Sequence, residues 1–335
     1  MDYRRVRTAV SVLGLALLWA GSTGSTLAQD VIPLQVEMLT RAISKLPLVI
    51  AQDHGLYKKH GLDVKFWMPE AEYPGGIPAD IERPEVPDLS VDGGTPMMVR
   101  ITTDASYPRR VILASTDCSV RWHIIGQKGL RNLEDLKGKR LGISGMGAMT
   151  SFVALLLAQR MGWDRVQDIS IMSNAQRTDH LQKGLVDAFV ADERYYATAR
   201  QAGFPILADT STWGASIAGN SVRAEKTWLQ NPRNREAARR FLMATIEGIA
   251  IFHNDREEAL RIMTKWHGMP REVAATIYNQ GTSMPRKPFP CYDGIKKTME
   301  LFDSNEMRKY KPEDFYDDSF LKEIDQSGFI DNLYR

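Results

Sequence analysis

Between residues 34 and 215, short runs of β-branched and other apolar residues alternate with stretches whose apolar positions recur every three to four residues. Strands alternating with helices in this way predict a parallel sheet wrapped by helices. The runs at 34–38, 62–66, 88–92 and 110–115 predict the strands of a first lobe. A helix is expected over 45–59, with Pro47 in its first turn, where a missing N–H costs nothing. The stretch 69–87 is rich in Pro and Gly and reads as a loop. A second lobe is expected to begin near Cys118, with strands at 120–126, 141–144, 169–172, 188–191 and 205–208. Asn132 is placed to cap a short helix, with Asp135 in a capping-box-like position and Gly138 closing it. Gly145-Met146-Gly147 forms a tight turn, and the helix after it, 150–161, is apolar nearly all round and therefore buried. From about Asn220 the chain reads as amphipathic helices (234–252, 254–266, 270–280 and 291–305) with no strand between them. They are expected to pack back on the first lobe. The organisation this gives is α/β: residues 29–117 as the first part of lobe 1, 118–215 as lobe 2, and 216–335 as a mostly helical return to lobe 1.

The first residues carry a different pattern. Arg4, Arg5 and Arg7 precede an apolar run over 10–20, which is short for a bilayer of about 30 Å hydrocarbon. Thr26-Leu27-Ala28 then offers a small-x-small cleavage site before Gln29. This is the layout of a secretory signal peptide over 1–28, with an uncleaved anchor as the alternative reading. An exported, periplasmic or secreted protein is the expectation. The 335 residues include 43 Lys and Arg against 41 Asp and Glu. Removing 1–28 takes away three arginines and one aspartate, so the signs balance and a nucleic-acid role has no electrostatic support. Cys118 and Cys291 are the only cysteines. An oxidising compartment would permit a disulfide between them; two buried thiols are the other reading.

Three phrases in order carry a family resemblance. The first runs from Leu48-Val49-Ile50-Ala51 through Gly55-Leu56-Tyr57 to Gly61-Leu62-Asp63-Val64. The second is Asp135-Leu136-Lys137-Gly138-Lys139-Arg140-Leu141-Gly142-Ile143, and the third is Gly184-Leu185-Val186-Asp187-Ala188. Over residues 30 to 305 the chain resembles the periplasmic substrate-binding proteins of nitrate/sulfonate/taurine-type ABC importers, which are related to thiamine-pyrimidine synthase-like proteins. The resemblance implies the type II periplasmic binding fold: two α/β lobes joined by two crossovers, with the ligand in the cleft between them. It also implies a monomeric binder without cofactor or catalysis, which hands a small organic, anionic ligand to an ABC transporter permease. The chain departs from the family pattern at 73–88, where prolines replace the usual helix.

In open α/β sheets, ligands gather at the carboxyl ends of strands, where helix N-termini present N–H groups. In the first lobe this singles out Thr40, Arg41, Ser44 and Lys45 after the first strand, Trp67 after the second, and Gly93, Gly94 and Thr95 after the third. In the second lobe it singles out Ser144, Gly145, Met146, Gly147 and Thr150, then Asp192 and Glu193. Arg41 and Lys45 would neutralise a sulfonate or carboxylate, or else sit as a solvated helix start. Trp67 would stack on a ring or serve as a core aromatic. Asp192-Glu193 would receive an amine or simply assist a helix N-terminus. The glycines around Met146 make the 144–150 turn the leading site.

The enzyme classes find less support. The six histidines are scattered without metal-ligand spacing, two separate cysteines do not make a zinc site, and no Gly-x-Ser-x-Gly elbow is present. Two alternatives remain open: a same-fold enzyme, pyrimidine synthase-like or aromatic-acid decarboxylase-like, and a binding subunit for a sensor kinase.

Overall fold

The computed structural model describes residues 31–69, 82–173, 178–279 and 284–335; the expected signal peptide and most of the 69–87 loop lie outside them. The chain begins with β1 (Ile32–Met38), α1 (Leu46–Asp53), α2 (Leu56–Lys59), β2 (Leu62–Trp67), β3 (Leu89–Gly93), α3 (Gly94–Thr103) and β4 (Arg110–Ser115). It continues with β5 (His123–Gly126), β6 (Arg140–Gly142), α4 (Met149–Met161), β7 (Ser170–Met172), α5 (Thr178–Gln182), β8 (Ala188–Ala191), α6 (Glu193–Gln201) and β9 (Ile206–Asp209). It then runs through β10 (Asn220–Glu225), α7 (Pro232–Asn254), α8 (Arg256–His267), α9 (Arg271–Asn279), α10 (Tyr292–Leu301), α11 (Ser319–Gln326) and α12 (Phe329–Asn332).

The strands form two five-stranded sheets, ordered β2-β1-β3-β10-β4 and β7-β6-β8-β5-β9. In the first, β1 runs parallel to β2 and β3, while β10 is antiparallel to both β3 and β4. In the second, β6 runs parallel to β7 and β8, while β5 is antiparallel to both β8 and β9. The symmetry has a simple cause. The chain leaves each sheet at the carboxyl end of a strand, β4 or β9, and enters the other sheet from that same side. The entering strand must therefore run against its neighbours. The other strands of both sheets consequently end on the side where the two crossovers run.

The crossovers lie side by side. Thr116 N–H donates to Asn220 O (2.8 Å), Ile217 N–H to Cys118 O (3.1 Å) and Val120 N–H to Ala215 O (3.0 Å), with an antiparallel bridge between Ser119 and Ser216. Gly219 permits this closeness, because a Cβ there would sit 2.4 Å from Asp117 O.

Four local expectations change. The 45–59 helix is interrupted at Gly55, whose φ of +65° places it in the left-handed region, so α1 stops and α2 restarts. The strand expected from 120 begins only at His123, because Val120 and Trp122 are still bonded to the returning crossover. The helix near 134 is a single 3-10 turn, held by Asn132 Oδ1 accepting Asp135 N–H (3.0 Å). The return is not free of strands: Asn220–Glu225 is β10, inserted between β3 and β4. Its sequence, Asn-Ser-Val-Arg-Ala-Glu, lacks an apolar run, and several of its buried polar groups bond to neighbouring strands and loops. Arg223 Nη1, for example, donates to Gly93 O (3.0 Å).

The largest apolar cluster contains residues of the first sheet and of α7 and α8. Tyr57 stacks on Phe241 at 5.0 Å between centroids, and Gly248 lets α7 meet the carbonyl of Pro47 at the start of α1. The second sheet packs on α4, nine of whose residues are buried. Helix α10 touches both sets: Ile295 belongs to the cluster of Met97, Met98 and Ile112, while Leu301 packs with the residues of α4. Among the described residues no helix is long and apolar enough to cross a membrane.

Candidate functional site

The parallel strands of both sheets deliver their carboxyl ends to one side, so candidates from both sheets gather near the crossovers. In the first sheet the chemistry there is largely spent internally. Lys45 is fully buried, and its ammonium donates to Thr40 O (2.8 Å), Thr40 Oγ1 (2.8 Å) and Asp92 Oδ1 (3.2 Å). Burial pushes the Asp92 carboxyl up, but the charges of Lys45 and Arg223 outweigh this and hold it below the ordinary carboxylate range. The Arg41 guanidinium is buried and donates to Trp266 O. Ser44 Oγ accepts from Asn220 Nδ2 at 2.8 Å. Lys45 and Arg41 thus hold the loop after β1 against the rest of the lobe.

The start of α3 is also engaged. Gly94 N–H donates to Gly219 O (2.8 Å) and Thr95 N–H to Ala218 O (2.8 Å), so these two donors serve the returning crossover. The Thr95 hydroxyl points the same way, 3.2 Å from Ala218 O and 2.9 Å from the Thr298 hydroxyl. Gly93 abuts the other half of the molecule, since a Cβ there would lie 2.7 Å from Met149 Sδ. Trp67 is half-buried under the guanidinium of Arg83, 4.9 Å from its ring centroid, and Arg83 in turn donates to Glu37 Oε1 (3.0 Å).

The turn before α4 differs. Ser144 and Thr150 close it, with Ser144 N–H donating to Thr150 Oγ1 (3.0 Å) and the two hydroxyls 2.8 Å apart. Gly147, at φ +81°, is buried against α3, where a Cβ would lie 2.9 Å from Val99 Cγ1. Ser144 and Met146 are exposed, and around Gly145 there is open space. Among the described residues no acceptor takes the N–H groups of Gly145, Met146 or Gly147. These donors sit beside the N-terminus of a 13-residue helix, whose dipole favours negative charge. Further along the same edge, Asp192 Oδ1 accepts Tyr195 N–H (3.2 Å) at the start of α6, of which Glu193 is the first residue.

Two aromatic residues there escaped the sequence reading. His123, at the start of β5, stacks on Tyr196 of α6 with centroids 4.0 Å apart, and its Nδ1 is buried without a hydrogen-bond partner. Nothing in the local pattern sets His123 apart from the other histidines; only the pairing of β5 with β8 brings it beside α6.

Burial holds His123 below its ordinary value of 6.5, against the pull of Asp209, with Arg121 adding to the lowering. Burial does the same to His253, against a bond to Met284 O. Below about pH 6.5 the unfolded chain therefore binds these protons more readily than the folded one. The contribution of both groups is complete above that value and declines as pH falls toward their folded pKa values. Melting temperature is expected to drop between about pH 7.5 and 5.5, and to drop less in a His123→Gln/His253→Gln double variant. Equal slopes in the two proteins would remove this account.

Among the described residues no group of three or more His, Cys, Asp or Glu is placed to hold a metal ion.

The comparisons with known proteins bear on this arrangement. The sulfonate ABC transporter periplasmic protein SsuA of Methylobacillus flagellatus KT, described as putative, superposes with a TM-score of 0.67 at 14% identity, over 90% of this chain and 96% of that one. The periplasmic aliphatic sulphonate binding protein SsuA of Escherichia coli gives 0.61 at 18%, over 84% and 89%. An enzyme shares the architecture too: the desulfurization enzyme DSZB gives 0.63 at 12%, over 90% and 100%. At such identities the likeness establishes the fold, two α/β lobes of the periplasmic binding protein type. No curated protein matches the sequence significantly. In sequence, the model of the NMT1/THI5-like family matches residues 43–259, well over half of the chain. The match and the topology agree, and the chain belongs to the NMT1/THI5-like family.

Proposed function

We propose that this protein is an extracytoplasmic solute-binding protein that captures a small organic anion between its lobes and delivers it to the permease of an ABC importer. The lobes are residues 29–117 with 216–335, and 118–215, hinged at the paired crossovers. The reading is supported by the family, by the fold it shares with sulfonate-binding proteins, and above all by one observation. The unengaged N–H groups of Gly145, Met146 and Gly147 lie on the edge where the strands of both sheets end. Backbone donors at a helix start suit sulfonate or carboxylate oxygens. Arg41 and Lys45 would support the site through the shape of the loop after β1, since Lys45 faces Asp92 and Arg41 donates to Trp266 O.

A ligand at 100 times its Kd should add about 2.7 kcal/mol to stability. A thermal-shift screen of sulfonates, aromatic carboxylates, pyrimidines and nitrate should therefore find a compound that raises the melting temperature by several degrees. Gly145→Asp should abolish the shift while leaving the fold intact. Its Cβ meets nothing within 4 Å, and its charge would oppose the anion. Gly147→Asp is a poorer probe, because the positive φ and Val99 would destabilise it irrespective of ligand. If Gly145→Asp keeps the full shift, the turn is not the site. The enzyme that shares this fold motivates a second reading, catalysis on the bound compound. Mass spectrometry of the ligand recovered after incubation tests it: an unchanged compound supports the binder, a converted one the enzyme.

A further inference from the structure

The fold brings together two side chains that the solute-binding site does not use. Cys118 lies on the outgoing crossover, and Cys291 immediately precedes α10. They are 173 positions apart in sequence, yet Cys291 Sγ lies 3.6 Å from Cys118 O, and Cys291 N–H donates to Ser115 Oγ (3.3 Å). Both thiols are free and lie beside one another, each acting on the other's acidity. Gly294 presses the first turn of α10 onto the returning crossover, where a Cβ would lie 2.1 Å from Ile217 C. The far end of α10 reaches the other lobe: Gln159 Nε2 donates to Glu300 Oε1 (2.6 Å) and Arg165 Nη1 to Leu301 O (3.0 Å). Helix α10 is thus a strut across the hinge, and the cysteines sit where it meets the crossovers.

We propose that Cys118 and Cys291 are a dithiol–disulfide pair whose oxidation fastens the outgoing crossover to α10. The oxidant is a disulfide-bearing thiol donor, small molecule or protein. Cys291 is the attacking sulfur. The neighbouring Cys118 thiol and, less strongly, the Gly294 backbone hold its pKa below the ordinary thiol value against burial, whereas the Cys118 thiol is pushed up by its partner and by burial. The Cys291 thiolate bonds to one sulfur of the donor and expels the other as a thiolate. Cys118 then gives up its proton, attacks Cys291 Sγ and expels the second donor thiolate. Two cysteine thiols become one disulfide, one donor disulfide becomes two thiols, and the two protons pass to the donor. The bridge closes a loop containing all of the second sheet, so it constrains the unfolded chain strongly.

The test needs no knowledge of the ligand, so its failure is separate from failure of the solute-binding reading. Full-length protein is equilibrated with oxidised or reduced glutathione, denatured, alkylated and weighed. The oxidised sample is expected to take up no alkyl groups as a monomer and the reduced sample two. Reduction should lower the melting temperature by about 5 °C. Cys118→Ser and Cys291→Ser, each folded, should show no redox difference. Two alkyl groups after oxidation, a bridge found only between molecules, or a redox difference that persists in either serine variant would overturn the proposal.

Discussion

Asp92→Ala is expected to destabilise the protein by about 3–5 kcal/mol, seen as a fall of about 10 °C in melting temperature. The residue is small and partly exposed, but it faces Lys45, whose side chain is completely out of solvent. Removing the carboxylate takes away the negative charge that faces this buried ammonium, whose bonds to Thr40 O and Oγ1 supply no charge, and also removes the negative charge beside Arg223. Breaking a buried pair from one side costs more than the pair itself contributes, because the remaining charge keeps its desolvation penalty. Two comparisons separate this from ordinary loss of packing. Asp92→Asn retains hydrogen-bonding capacity without charge and should fall between wild type and Asp92→Ala. The double change Lys45→Met/Asp92→Leu removes both charges and should be less destabilised than Asp92→Ala alone. Urea unfolding provides the measurement; a cost under about 1 kcal/mol for Asp92→Ala would mean that solvent reaches the ammonium after all.

Gly294→Ala should be nearly as damaging, at about 3 kcal/mol, for a reason that involves no charge. The added methyl would lie 2.1 Å from Ile217 C, 2.3 Å from Ile217 O and 2.5 Å from Ala218 N. All three atoms belong to the backbone of the returning crossover, so no side-chain rotation can relieve the clash. Helix α10 would have to lift away, taking with it the contact between the Thr298 and Thr95 hydroxyls. Gly219→Ala should behave similarly, since its methyl would meet Asp117 O at 2.4 Å. Gly145→Ala supplies the control: its Cβ enters open space, and stability should change by less than about 0.5 kcal/mol. Equal melting temperatures for Gly294→Ala and Gly145→Ala would show that α10 does not bear on the returning crossover as described. Both large effects fall beside the crossovers, which indicates where this fold concentrates its structural demands.

The candidate site was only partly legible in the sequence. The turn at 144–150 could be read from its glycines, because a helix that starts after Gly145-Met146-Gly147 presents donors whatever surrounds it. Arg41 and Lys45 were candidates as well, and nothing local tells which partners a buried cation finds within its own chain. Their partners, Trp266 O and Asp92, come from elements 225 and 47 positions away. His123 was passed over for the same reason, its stacking on Tyr196 arising from β5 lying beside β8 and α6.

The alternation of strands and helices and the family were legible without coordinates, because these are written in local periodicity and short contiguous phrases. Tertiary structure decided what depends on distant neighbours. Asn220–Glu225 became a strand although its residues show no apolar run, because the slot between β3 and β4 offered backbone partners on both sides. The N–H groups at the start of α3 were taken by Gly219 and Ala218, while those of the turn before α4 remained available. Helix dipoles and strand propensities are local properties. Whether a donor is satisfied or free depends on which part of the chain folds back against it, and for this protein that was settled by the two crossovers.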